Sequence, residues 1–291
     1  MLQGSFVALV TPFKNDEVDY SALEGLIQFH LDNGTHGILL LGTTAETAGL
    51  ASDEKDALLR FALQKINHRV PVMIGTGTNN LHQTLTQTKK AKELAADFAL
   101  VITPYYIKPT QNGMYEYFKT IAQKTDIPIV IYNVPGRTGV SISAATTIKL
   151  AHECPNIIGI KEASGNLVQA TEIIRDAPKG FSLMSGEDAL NLPLMAIGAK
   201  GCISVTANVV PKLMSEHIQS CLDGDFATAA LQHQKLLKMN NVMFIETNPI
   251  PAKEALHIMG YICLEFRLPI CPLMESNREI LRNTLKEYKL I

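Results

Sequence analysis

The residues best suited to chemistry stand where apolar runs stop. Lys161 directly follows Ile157-Ile158-Gly159-Ile160, and Tyr132 closes the run that begins at Ile127. A lysine at the mouth of a buried strand is partly desolvated, which disfavours its charged form and leaves the neutral amine that attacks carbonyl carbon. Taken alone, a strand-end lysine more often snorkels into water. The neighbouring run ends, however, are rich in small and hydroxyl-bearing residues: Gly42-Thr43-Thr44-Ala45-Glu46, Gly75-Thr76-Gly77-Thr78-Asn79, Thr103-Pro104-Tyr105-Tyr106 and Ser185-Gly186-Glu187-Asp188. That clustering favours a catalytic reading of Lys161. Tyr132 has the chemistry to relay protons to and from a carbinolamine, given a partner such as Thr43 to polarise its hydroxyl. A tyrosine that caps the core with a wetted hydroxyl is the plainer alternative. Arg137, in Pro135-Gly136-Arg137-Thr138-Gly139, carries the planar fork that clamps a carboxylate, although an isolated loop arginine is more often just solvated.

The elements that must hold these groups follow a regular alternation. Short β-prone apolar runs recur at 5–10, 37–41, 71–74, 98–102, 127–132, 157–160, 180–184 and 201–205. Near-continuous hydrophobic strands are what a parallel sheet covered on both faces requires. The segments between them read as amphipathic helices. Tyr20 to Asn33 spaces Leu23, Leu26, Ile27, Phe29 and His30 helically before Gly34, and Ser52 is the expected N-cap of the helix opening Ser52-Asp53-Glu54-Lys55. Eight such units predict a (β/α)8 TIM barrel, class α/β, with function at the strand C-termini. A doubly wound sheet ranks second, because the first strand is followed by Thr11-Pro12-Phe13-Lys14 and not by a glycine-rich dinucleotide turn. From Pro211 the β-runs cease. The expected organisation is a catalytic barrel over 1–210 and a barrel-closing, all-helical C-terminal region over 211–291.

Composition narrows the function further. The chain has 291 residues, 46% hydrophobic and 19% charged, with a net charge of −2 and no long run of one sign. That charge pattern argues against a nucleic-acid or membrane-surface partner. No uncharged apolar run reaches the roughly 18 residues a bilayer span needs. Met1 to Phe6 lacks a basic region before an apolar stretch, so a secretory signal is not expected. The five dispersed cysteines, as in Gly201-Cys202-Ile203, suit reduced thiols and a cytoplasmic setting. Neither they nor the eight dispersed histidines form a metal-binding spacing, so no metal and no cofactor is expected. Gly75-Thr76-Gly77 lacks the Lys-Ser/Thr of a P-loop, and no carboxylate pair is spaced for glycoside hydrolysis.

At Gly42-Thr43-Thr44-Ala45-Glu46, Tyr132-Asn133-Val134-Pro135 and Gly159-Ile160-Lys161-Glu162-Ala163 the chain resembles the dihydrodipicolinate synthase and N-acetylneuraminate lyase superfamily, and within it the dihydrodipicolinate synthases. The likeness runs from Gly4-Ser5 through Asn248-Pro249-Ile250-Pro251-Ala252-Lys253. It implies condensation of pyruvate with L-aspartate 4-semialdehyde on the route to diaminopimelate and lysine. Lys161 would form the Schiff base and Tyr132 would donate and accept protons. Thr43 would link Tyr132 to Tyr106 of a neighbouring subunit in a tight dimer, two dimers forming a homotetramer. Thr44 and the backbone around Gly186 and Ile203 would hold pyruvate, and Arg137 the semialdehyde carboxylate. Ala45 departs from the family glycine, a strain if that position needs φ > 0. In feedback-inhibited relatives lysine binds between the subunits, at positions that correspond here to Asn79, Tyr105, Gln83, Ser52 and Lys55, beside Thr47 and Ala48. Gln83 stands at the acidic position, while Ser52 and Lys55 stand at the histidines, so inhibition is expected to be weak or absent. The rival readings are a sister pyruvate aldolase, such as N-acetylneuraminate lyase or a 2-keto-3-deoxy-sugar-acid aldolase, and a barrel that has lost catalysis and serves in binding. Arg137 speaks against the first, and the joint presence of Lys161, Tyr132, Thr43, Tyr106 and Arg137 against the second.

Overall fold

The computed structural model describes residues 2–291. Eight parallel strands close on themselves, each pairing with the barrel strands before and after it in the chain and the last with the first. They are β1 (Gly4–Ala8), β4 (Gly37–Leu40), β5 (Val72–Gly75), β6 (Phe98–Ile102), β7 (Ile129–Asn133), β8 (Ile157–Glu162), β9 (Ser182–Ser185) and β10 (Gly201–Ser204). Each lies within one of the apolar runs or overlaps it, and closure rules out the open doubly wound sheet. A two-stranded antiparallel ribbon, β2 (Phe13–Lys14) and β3 (Glu17–Val18), stands apart from the barrel.

The helices between the strands are α1 (Tyr20–Asp32), α2 (Ser52–Ile66), α3 (Leu81–Glu93), α4 (Gln111–Lys124), α6 (Ala144–Glu153), α7 (Leu167–Asp176) and α8 (Asn191–Ala196), with the short α5 (Pro135–Thr138) in the loop after β7. Beyond β10 the regular elements are helices, α9 (Pro211–Leu222), α10 (Phe226–Val242), α11 (Ile250–Ile258) and α12 (Glu275–Glu287), with a non-helical stretch at 260–274. Helix α9 packs on β1 and β10 and completes the ring, while α10 packs on α9 and α12 on α11.

Side chains alternate across each strand. On β7, Val130 and Tyr132 join an interior cluster with Phe6, Leu39, Leu100, Met184 and Ile203, whereas Ile129 and Ile131 join the larger core between strands and helices. Helix ends follow local chemistry. Asp19 caps α1 by accepting from Ala22 N–H, and Gly34 behind it takes a left-handed φ of 71°. At α2 the expected cap is displaced by one residue: Ala51 occupies the N-cap and Ser52 is already helical. The Glu54 carboxylate supplies the one capping-box bond that needs no N-cap side chain, accepting the Ala51 N–H at 2.8 Å, and Arg267 holds that carboxylate in place.

Candidate active site

Lys161 reaches the barrel interior through an irregularity. Ile129 pairs with Ile157, but Val130 pairs with Gly159, so β8 carries one extra residue at Ile158. Strict alternation from Ile158, which packs on the interior cluster, would send Lys161 outward. The bulge restores Lys161 to the register of Tyr132 and points it inward, with its Nζ 4.4 Å from the Tyr132 ring centroid. Gly159 is required at this bulge, since a Cβ there would lie 2.4 Å from Ser182 O. On the outer face the next pair is locked: Asn133 Nδ2 donates to Glu162 Oε2 at 3.0 Å, and Glu162 also accepts Ser164 N–H at 2.7 Å and Gln169 Nε2 at 3.2 Å. Two strand ends are thereby held together, with Lys161 and Tyr132 side by side at the mouth.

The mouth opens into a cleft of about 920 Å³ lined by Lys161, Tyr132, Thr43, Thr44, Arg137 and Gly186, among others. Lys161 is only 5% exposed. Gly186 leaves room for it: a Cβ at Gly186 would sit 3.0 Å from Lys161 Cε and 2.8 Å from Ala163 Cβ. Thr43 and Thr44 belong to a 3-10 turn, Thr43–Ala45, and Thr44 Oγ1 accepts Asn248 Nδ2 at 2.9 Å. The left-handed residues of this loop are Leu41 and Glu46, both at φ 53°, and not Ala45. The strain conditional on a positive φ at Ala45 therefore does not arise. Ala45 is buried and its carbonyl accepts the Thr11 hydroxyl at 2.8 Å. Among the described residues no hydrogen bond joins Thr43 to Tyr132; the two meet only across the cleft. Arg137, in α5, donates from Nη2 to the Asn248 carbonyl at 3.2 Å and faces the cleft.

The remaining expected site residues separate into two groups. Thr47, Ala48, Lys55 and Tyr105 line an outer part of the same cleft, and burial pushes the Lys55 ammonium pKa down. Ser52 and Gln83 are exposed and Asn79 half-buried, all three outside that lining. The Ile203 side chain lies in the barrel interior, in the cluster that includes Tyr132. Tyr106 is 87% exposed, with a left-handed φ of 71°, and does not line its own cleft. Asn248 and Glu187 line the site and were not singled out from sequence. Burial, reinforced by Asp188, raises the Glu187 carboxyl against the opposing pull of Lys161. Asn248 was legible only as part of a motif, since nothing local to it reveals that it returns to the barrel mouth. Among the described residues no three His, Cys, Asp or Glu side chains are placed to hold a metal. No helix among them is long and apolar enough to cross a membrane.

Residues 1–288 match the Dihydrodipicolinate synthetase family. A 4-hydroxy-tetrahydrodipicolinate synthase of Aquifex aeolicus is 50% identical over 290 residues, 100% of this chain and 99% of that protein. The crystal structure of dihydrodipicolinate synthase from Aquifex aeolicus superimposes with a TM-score of 0.98 over 99% of both chains. A chloride-inhibited dihydrodipicolinate synthase from Acinetobacter baumannii, crystallised with pyruvate, is 43% identical and reaches a TM-score of 0.97 over 100% of both chains. With likeness of this extent in sequence and backbone alike, the chain belongs to the dihydrodipicolinate synthetase family.

Proposed function

We propose that the protein is a Schiff-base lyase that condenses pyruvate with L-aspartate 4-semialdehyde to 4-hydroxy-tetrahydrodipicolinate, releasing one net water, on the route to diaminopimelate and lysine. The observation that carries this reading is Lys161, buried and turned inward beside Tyr132 at the mouth of the barrel. Its amine attacks the pyruvate carbonyl carbon, and loss of water gives the iminium. Loss of a proton from the pyruvate methyl then gives the enamine, which adds to the aldehyde carbon of the second substrate. The amino group of that substrate displaces Lys161 as the ring closes.

Tyr132 is assigned the proton transfers, Thr43 and Thr44 the pyruvate side with the backbone at Gly186 and Ile203, and Arg137 the semialdehyde carboxylate. The exposed, left-handed Tyr106 supports a role outside its own cleft, completing the relay of a neighbouring subunit. The assembly proposed is a homotetramer built from two tight dimers, working in the cytoplasm, where the buried thiols of Cys154, Cys202 and Cys221 stay reduced. Lysine inhibition is proposed to be weak, because Lys55 brings a like charge to the outer cleft. Coupled turnover with pyruvate and aspartate semialdehyde, beside N-acetylneuraminate as control, tests the reading. Turnover of the sugar acid in place of the semialdehyde overturns it.

A further inference from the structure

Lys253 is wholly buried in α11, and its Nζ donates at 2.5 Å to Glu46 Oε1, a carboxylate itself only 3% exposed. The ammonium lies 4.3 Å from the Phe13 ring centroid and 4.9 Å from that of Phe266. Desolvation lowers the lysine pKa while Glu46 raises it, so the pair sits in an environment hostile to charge. Removing two ions from water is expensive, and a well-packed apolar pair of the same volume is often no less stable. Stability alone is therefore a poor account of this pair, and what it holds in place becomes the question.

It holds the loop that faces Lys161. Glu46 is the left-handed junction between the 3-10 turns Thr43–Ala45 and Thr47–Gly49, a conformation disfavoured for a residue with a side chain. Its carboxylate is fixed on both oxygens, Oε1 by Lys253 and Oε2 by the Arg267 N–H at 3.2 Å. The segment that brings in Lys253 also brings in Asn248, whose side chain donates to Thr44 Oγ1 and whose carbonyl accepts from Arg137. One piece of the C-terminal region thus grips the Thr43-Thr44 turn at two points and Arg137 at a third. We propose that the Glu46–Lys253 pair is a positioning device that holds the Thr43-Thr44 turn against pyruvate, making α11 part of the substrate site. Neither residue touches the reacting atoms. The inference rests on the Lys161 and pyruvate reading above.

The test uses three variants of the full chain, Lys253→Met, Glu46→Gln and the double variant, each compared with the native enzyme for pyruvate KM from about pH 6 to about pH 9. Lys253→Met leaves a buried carboxylate unpaired, which raises its pKa, so the turn closes on the acid side and loosens as pH rises. Glu46→Gln leaves a buried ammonium unpaired, which depresses its pKa, so the turn closes on the basic side and loosens as pH falls. The other charged groups facing the pair are Glu265 and Arg267, the latter bound to Glu54 and Asp16. They are present in every variant and cancel in the comparison.

The expected result is a pyruvate KM raised roughly tenfold or more in each single variant, with opposed pH dependences, and no such dependence in the double variant. Labelling of Lys161 by borohydride at saturating pyruvate should stay within about threefold of native, because the amine itself is undisturbed. A fall in melting temperature with pyruvate KM within about twofold of native at every pH overturns the inference. Where Lys253→Met does not fold, Glu46→Gln against the double variant decides the matter by the same criterion. A native enzyme that pyruvate and borohydride do not label overturns the underlying reading and this inference with it.

Discussion

Gly186→Ala is the most discriminating single change, because the one methyl group it adds is aimed at Lys161. The new Cβ would lie 2.8 Å from Ala163 Cβ, 3.0 Å from Lys161 Cε and 3.1 Å from Lys161 Cγ. Carbon atoms pack at about 3.5–4.0 Å, so the lysine stem must retreat by roughly 0.5–1 Å, carrying Nζ with it. Gly186 is absent from the positive-φ glycines, so alanine suits the local φ and the cost falls on the contacts with Ala163 and the Lys161 stem. A displacement of about 1 Å at a reacting atom is worth about 10²-fold in rate, or about 2.7 kcal/mol of barrier. Overpacking should also cost about 1–3 kcal/mol of stability. Gly136→Ala is the matched control, since Gly136 lines the same cleft but a Cβ there meets nothing within 4 Å. The assay is kcat/KM for pyruvate in coupled turnover, with the rate of borohydride trapping measured alongside. Gly186→Ala should lose about 10²-fold in both while Gly136→Ala stays near native. Activity of Gly186→Ala within about twofold of native would refute the claim that the position of the Lys161 stem governs the chemistry.

Tyr132→Phe removes a hydroxyl that has no hydrogen-bond partner among the described residues, so folding should survive while turnover falls about 10²–10⁴-fold; near-native turnover would contradict the proton-relay role. Arg137→Ala should raise KM for the semialdehyde much more than for pyruvate, and equal increases would make Arg137 a structural tie to Asn248 instead. Acid should destabilise the fold through two buried histidines, His30 and His217, which burial depresses to about 3 and about 4. Both are neutral in the folded protein and protonate near pH ~6.5 once unfolded, so their contribution is complete above that pH and is lost as pH falls. At about pH 5 the loss is about 2 kcal/mol for each, about 4 kcal/mol together, and a denaturant-derived loss under about 1 kcal/mol between neutral pH and pH ~5 would contradict it.

The barrel was legible because its strands are buried on both sides and therefore read as uninterrupted apolar runs. The pairing of Tyr132 with Lys161 also followed from strand order and was found in register. What aims Lys161 inward was not legible. Alternation counted from Ile157 and Ile158 gives the wrong face, and the correction lies in a bulge defined only against the neighbouring strand. Asn248 escaped for a related reason, since its bonds to Thr44 and Arg137 span more than a hundred residues and leave no local pattern. Local chemistry also misled in small ways. Ser52 has the right side chain for a cap, but Glu54, held by Arg267 from the far end of the chain, moves the helix start to follow Ala51. Glycine logic at Ala45 pointed to strain, whereas the left-handed positions fell on Leu41 and Glu46. In Glu46 the tertiary partner Lys253 overrides the local preference.

The central claim is that one lysine, Lys161, forms the covalent adduct. Incubation with pyruvate and borohydride followed by peptide mass analysis tests it directly. The competing lysines are poorly placed: Lys253 is buried under Glu46 between two aromatic rings, and Lys200 is exposed just before β10, at the opposite end of the strands from the cleft. A single reduced pyruvate adduct per chain is expected, on Lys161 and absent from Lys161→Ala. An adduct on Lys200 or Lys253, or full labelling of Lys161→Ala, would contradict it.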